Sequence, residues 1–157
     1  MNPLFHAVEA RGGRIVVGRL LPTADLIGGL EEVCDNHDMR FAAILFAYGS
    51  LSSASFKTLQ VPPGEERAIL TPLVINDRVE FMGGQGLVCR GEEGGRETHL
   101  HGSVADGSGA VKGGHFMKGE NPIYNNLDFA LTELHDVDLI RRFDEDTQTV
   151  EMEVFST

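Results

Sequence analysis

The chain has 157 residues, 41% of them apolar and 19 of them glycine, which fits one domain with a single hydrophobic core and many turns. Its net charge of −11, from 24 acidic against 13 basic side chains, argues against a nucleic-acid-binding surface, because such surfaces neutralise phosphates with Lys and Arg. No stretch approaches the roughly 18 apolar residues of a membrane-spanning helix, so no membrane segment is expected.

The chain is predicted to open with a leader, a strand and a helix. Residues 1–13 are predicted to be an N-terminal leader, and residues 14–157 a single domain whose first strand covers residues 15–21. Thr23 is the candidate N-cap of the helix that follows, since a threonine hydroxyl can accept a hydrogen bond from a free amide of the first turn. Apolar residues then recur with helical spacing, and the helix is expected to end near His37.

Nine further stretches are predicted to be strands, because they alternate in polarity or run continuously apolar between turn residues. They cover residues 41–48, 53–61, 68–75, 79–90, 98–105, 110–117, 123–134, 138–143 and 149–155. Most of the connections between them are short and rich in turn residues, as in antiparallel pairing. The sequence therefore predicts an α+β domain, with one main helix packed on an extensive, mostly antiparallel sheet.

The N-terminus and the cysteines bear on the cellular compartment. The first six residues lack the basic segment and apolar run of a secretory signal. Cys34 and Cys89 lie far apart and match no metal-binding spacing. We therefore expect two reduced thiols in the core of a cytoplasmic protein.

The chemically informative segment is a predicted hairpin that carries three histidines. His99 and His101 are two residues apart on one strand, so their side chains project to the same face, whereas Leu100 points towards the core. His115 lies on the next strand, after the turn residues 106–109. Whether His115 joins the other two depends on the hairpin register, because a one-residue slip moves every side chain to the opposite face.

The turn sequence is compatible with two registers. A two-residue loop pairs Leu100 with His115, and the His115 imidazole then faces away from the other two. A three-residue loop, with Gly109 left-handed in a bulge, pairs His101 with His115 and places all three imidazoles on one face. This second loop requires a glycine at its third position, so it is favoured, although the two glycines before His115 could add another irregularity.

Three converging imidazoles predict a metal site at His99, His101 and His115. Residues opposite each other on paired strands have Cβ atoms about 4.5–5.5 Å apart, so two such imidazoles can reach one ion. Three neutral nitrogens with an open fourth position suit Zn²⁺, and Fe, Ni or Cu are the alternatives. Glu97 and Asp128 are candidate fourth ligands or proton carriers. The competing interpretation is that these are surface histidines on a polar sheet face.

Three sets of residues resemble the PPC domain, the plants and prokaryotes conserved domain that plant AT-hook nuclear proteins also carry. The resemblance spans roughly residues 14–155. The first set comprises residues 18–22, 25–26, 40–44 and 49–51, and the second comprises residues 78–82. The third and most specific set is His99-Leu100-His101, Ala105-Asp106, Gly109 and Gly113-Gly114-His115.

The resemblance implies a homotrimer built by sheet packing, with a histidine cluster near a subunit boundary that binds a metal in prokaryotic members. Prokaryotic members are labelled DNA-binding by analogy with the plant proteins, but the Arg-Gly-Arg-Pro hook of those proteins is absent here. Residues 125–128 also depart from the small-residue-plus-Glu segment that the resemblance leads us to expect, which weakens any carried-over role for Asp128.

Three functional interpretations follow. The first is a trimeric metal-binding protein with a small-molecule ligand at the metal. The second is a protein-interaction module, and the third is a DNA-associated regulator, which the net charge opposes. If the metal site is catalytic, the metal would polarise a carbonyl or activate a bound water. The sequence specifies no substrate and leaves open whether the chain is an enzyme.

Overall fold

The structure, a computed structural model, describes residues 4–64 and 66–157, so the first three residues of the predicted leader lie outside the described residues. The described elements, in chain order, are β1 (Arg11–Leu20), α1 (Leu26–Asn36), β2 (Ala42–Leu51), β3 (Ala54–Gln60), β4 (Ile69–Ile75), β5 (Val79–Gly91), β6 (Arg96–Ala105), β7 (Val111–Phe116), β8 (Ile123–His135), β9 (Val137–Asp144) and β10 (Thr149–Ser156). No helix in the described part of the chain is long and apolar enough to cross a lipid bilayer.

The strands form one sheet, in which β1, β8, β2, β5, β6, β7, β3 and β4 are neighbours in that order. Every pairing along this path is antiparallel. The hairpin of β9 and β10 joins the sheet through a short parallel pairing of β9 with the end of β5, where Gly91 is opposite Arg141. The predicted α+β class, with one helix on a mostly antiparallel sheet, is confirmed.

Two predicted boundaries are wrong at the N-terminal end. Strand β1 begins at Arg11 rather than at residue 15, because Arg11 pairs with His135 of β8. The helix is capped by Asp25 rather than Thr23. One Asp25 carboxylate oxygen accepts from the amide of Gly28 at 2.8 Å, and the other accepts from the amide of Asn121 at 3.0 Å. This carboxylate therefore ties the helix start to the segment before β8.

Alternation along the strands gives the sheet two faces. Leu26 and Leu30 of α1 share the main core with Phe81, Leu100 and Phe116 of the sheet, and we call the side that carries α1 the helix face. Side chains adjacent in sequence to these core residues point to the opposite side, which we call the outer face. The three histidines flank Leu100 or precede Phe116, so they lie on the outer face.

The hairpin of β9 and β10 covers one end of the outer face. Its residues Leu139 and Val154 form a second buried cluster with Phe41 and Cys89. Both cysteines are free and buried, as predicted, and burial raises the pKa of each thiol to about 11. The thiols of Cys34 and Cys89 are therefore protonated and unreactive at neutral pH.

Candidate metal centre

The hairpin of β6 and β7 has the three-residue loop that the sequence favours. The Asp106 amide donates to the Ala110 carbonyl at 3.0 Å, and Gly109 has a φ of 82°. One carboxylate oxygen of Asp106 also accepts from the amides of Ser108 and Ala110, which holds the loop closed. The resulting register pairs His101 with His115 and continues through the glycine pair without a break, so the convergent register is confirmed.

The three imidazoles form a compact cluster. The ring centroid of His99 lies 4.8 Å from that of His101 and 4.8 Å from that of His115, and the remaining separation is 5.3 Å. One ligand nitrogen from each ring lies within 4.8 Å of the others. The Nε2 atoms of His99 and His101 are 2.9 Å apart, close to the roughly 3.3 Å expected for two nitrogens on one tetrahedral Zn²⁺. The donor set therefore fits a single metal ion after a small adjustment.

Arg141 of β9 joins the cluster, which the sequence did not predict. Its Nη1 atom lies 2.7 Å from Nδ1 of His99. A guanidinium can only donate, so Nδ1 of His99 is the acceptor and the neutral ring carries its proton on Nε2. That proton is then directed at Nε2 of His101, 2.9 Å away. Without metal, the cluster is thus a hydrogen-bonded chain from Arg141 through His99 to His101.

The environment keeps two of the histidines neutral. Burial, followed by the positive charge of Arg141, lowers the pKa of His99 to about 4. Burial, followed by the charge of His101 and then that of Arg141, lowers the pKa of His115 to about 4. Neutral imidazole is the form that binds metals, so at pH 7 these two rings need lose no charge before they coordinate.

We expect the metal-free protein to lose stability as the pH falls from about 6.5 towards about 4. In that window the unfolded chain protonates both rings at their ordinary pKa, whereas the folded chain leaves His99 and His115 neutral, so proton uptake favours unfolding. A titration of the imidazole resonances by NMR should give midpoints near 4 for these two histidines. Midpoints near 6.5 would contradict the described environment.

The structure places the two predicted carboxylates apart from the three imidazoles. Neither belongs to the group whose ligand atoms lie within 4.8 Å of one another. Glu97 is exposed on β6, two residues before His99, and its carboxylate lies beside Gly91. Asp128 is on β8, which β2 and β5 separate from β6. Its role as a fourth ligand, like that of Glu97, stays a prediction.

Asp128 has its own partner. Its carboxylate accepts a hydrogen bond from Nε of Arg19 at 2.9 Å, and this bond lowers the pKa of Asp128. The carboxylate is therefore ionised at neutral pH, which makes it a poor proton donor.

Known proteins resemble this chain in sequence and in fold. The bifunctional protein GlmU of Synechococcus sp. (strain JA-3-3Ab) is 30% identical over 141 residues, an alignment that covers 90% of this chain but 20% of GlmU. The chain thus spans about a fifth of the length of that relative.

Two solved structures share the fold. A metal-containing protein from Archaeoglobus fulgidus has a TM-score of 0.79 and 21% identity, with 95% of this chain and 99% of the other covered. A Ralstonia eutropha JMP134 protein described as a candidate for DNA binding has a TM-score of 0.70 and 21% identity, with 87% and 89% covered.

The sequence shows which family the chain belongs to. The model of the Plants and Prokaryotes Conserved domain, abbreviated PCC or PPC, matches residues 7–135, which is most of the chain and includes all three histidines of the cluster. The chain therefore belongs to the Plants and Prokaryotes Conserved domain family.

Proposed function

We propose that the chain is a cytoplasmic, homotrimeric metal-binding protein in which His99, His101 and His115 hold a divalent transition metal, with zinc as the first candidate. The main support for the proposal is that the three-residue loop brings together three imidazoles from two strands. The metal-containing Archaeoglobus fulgidus neighbour adds support. The two free, buried thiols fit a reducing compartment.

Three histidine donors indicate a metal centre that also binds an external molecule, rather than a purely structural metal site. Structural zinc sites use four protein ligands, whereas three histidines leave a position for a further ligand. His101 is exposed, whereas His99 and His115 are half-buried, so a small molecule can approach from the side of His101. A metal bound there would supply a Lewis acid, and the chain's own residues would hold and orient the molecule that binds to it.

The direct test is the metal content of protein purified without an affinity tag and without added metal. We expect about one transition-metal ion per chain by elemental mass spectrometry, with the element identified from its X-ray absorption edge. Protein that contains no metal and takes up neither Zn²⁺ nor Co²⁺ in dialysis would overturn the proposal.

Exposed apolar side chains on the outer face support the proposed homotrimer. Beyond the β9–β10 hairpin it exposes Val17 of β1 and Phe46 and Tyr48 of β2, which are 72%, 39% and 50% exposed. The rings of Phe46 and Tyr48 stack with centroids 5.6 Å apart. An apolar sheet face of this kind is typical of a surface that packs against another subunit.

We therefore expect light scattering after size-exclusion chromatography to give three times the monomer mass. Phe46→Glu should shift the protein to the monomer, because it places a charge within the apolar patch. Ile69→Glu is the matched control, since Ile69 is 52% exposed but lies on the helix face of the edge strand β4. A monomeric wild-type chain, or a trimer that tolerates Phe46→Glu, would exclude this interface.

DNA binding is the weaker interpretation, although a neighbour is described as a candidate for it. The net charge is −11. Eight of the 13 basic residues also lie in ion pairs with carboxylates of the described residues: Arg11, Arg14, Arg19, Arg40, Arg90, Arg96, Lys118 and Arg142. Such paired charges leave little free positive surface for phosphates.

A further inference from the structure

Arg141 is a buried arginine with an unused hydrogen-bond donor. Arg141 is only 5% exposed. Nη1 contacts His99, and Nη2 donates to the backbone oxygen of Val150 at 2.7 Å. Its Nε atom is buried and has no hydrogen-bond partner among the described residues.

The charge of Arg141 is also uncompensated. None of the ion pairs formed within 4.0 Å between described residues includes it. Two nearby arginines differ in this respect. Arg90 is held by both carboxylate oxygens of Asp138 at 2.8 Å, and Arg142 lies 3.3 Å from the carboxylate of Glu153.

A buried guanidinium requires a negative partner. Arginine stays protonated in proteins, so Arg141 cannot become neutral as a buried lysine can. Burial of a charge is strongly unfavourable unless a counter-ion and hydrogen bonds compensate it. Its neighbours in the site are imidazoles that carry no negative charge. A divalent metal on those imidazoles would add two more positive charges, so the loaded site lacks negative charge altogether.

The contact between Arg141 and His99 also indicates that the metal-loaded site needs a further hydrogen-bond acceptor. A histidine that ligates a metal through Nε2 normally carries its proton on Nδ1 and donates it to an acceptor. Here a donor, Nη1 of Arg141, faces Nδ1 of His99 at 2.7 Å. If the neutral His99 ring coordinates a metal through Nε2, its proton must lie on Nδ1. The Nδ1–H of His99 and the Nη1–H of Arg141 would then be two donors that face each other. Arg141 must then leave Nδ1, and the freed N–H needs a new acceptor at the site.

We propose that Arg141 makes this metal centre a receptor for a small oxyanion, with one oxygen on the metal and a second on the guanidinium. Carboxylates and phosphates share this chemistry, and the planar fork of arginine matches both. The inference rests on the metal site proposed above and names the class of ligand that its fourth position takes. Arg141 is thus a ligand-positioning residue rather than a metal ligand.

Co²⁺-loaded protein provides the test, because the visible absorption of Co²⁺ reports a change in its ligands. Titration with sodium acetate and with sodium phosphate, each against sodium perchlorate at equal ionic strength, should give a saturable spectral change with at least one of the two oxyanions. Arg141→Met should keep one Co²⁺ per chain but weaken oxyanion binding by about 10- to 100-fold, the range expected for losing a charge-assisted hydrogen bond.

Arg142→Met is the matched control, since it removes the neighbouring guanidinium, which already pairs with Glu153. Its oxyanion affinity should equal that of the wild type. If Arg141→Met does not fold, Arg141→Lys decides the question, because lysine keeps the charge but loses the fork, and affinity should fall by about 10-fold. An affinity unchanged in that variant would overturn the proposal.

The outcomes separate the two proposals. A wild-type chain that takes up no Co²⁺ contradicts the metal site itself, and the oxyanion inference falls with it. A chain that takes up Co²⁺ but responds to neither anion contradicts the oxyanion inference alone. The same holds if Arg141→Met binds the anions as tightly as the wild type does, or if a carboxylate from a second subunit already occupies the guanidinium in a crystal structure.

Discussion

His115→Ala should abolish stoichiometric metal binding and weaken the affinity for Zn²⁺ by more than about 100-fold. This side chain is the one donor of the cluster that comes from β7, and without it the site keeps only the two imidazoles of β6. Loss of a partner outside the coordination shell already lowers metal affinity by about 10- to 100-fold, so loss of a ligand should exceed that range. Competition titration with a chromogenic chelator measures the affinity.

His6→Ala is the matched control for this variant, because His6 is exposed and lies outside the cluster. Its zinc affinity should equal that of the wild type. Full zinc affinity in His115→Ala would show that the metal binds elsewhere or needs only β6. Either result would remove the basis for a centre assembled by the hairpin register.

The strands were predictable because their pattern is local. Alternating polarity and turn residues gave all ten strands of the described chain, with most boundaries within two residues. Gly109 fixed the loop of the β6–β7 hairpin, since only a left-handed residue there allows the three-residue turn. One local choice between two loops therefore determined that His115 lies on the same face as His99 and His101.

Contacts between distant segments were not predictable. Thr23 was a reasonable cap by residue type, but Asp25 replaces it because its carboxylate also accepts from Asn121, 96 residues away. Arg141 reaches His99 only because β9 pairs in parallel with the end of β5. The one sequence signal for Arg141 is a charged residue two positions after Leu139 in an apolar strand, and that signal does not name its partner.

Phe81→Ala should lower the free energy of unfolding by about 3–5 kcal/mol, the usual loss for a fully buried phenylalanine. Phe81 is 0% exposed, and its ring packs edge-on against Phe116 with centroids 5.1 Å apart. Chemical denaturation in the presence of EDTA measures this loss without the stabilisation that bound metal adds. Phe143→Ala is the control, since Phe143 is 53% exposed and its removal should change stability by about 0.5 kcal/mol or less.

Phe81→Ala should also lower the affinity of the three histidines for zinc. A Cβ atom on Gly102 would lie 2.8 Å from the Phe81 ring, so this ring supports the backbone of β6 next to His101. Without the ring, β6 can relax into the cavity, and His101 moves relative to His115 on β7. We expect zinc affinity to fall by about 10-fold or more in Phe81→Ala, as it does when a partner that orients a ligand is lost. Wild-type affinity in a variant that has lost the predicted stability would mean that the β6–β7 hairpin holds its geometry independently of the core.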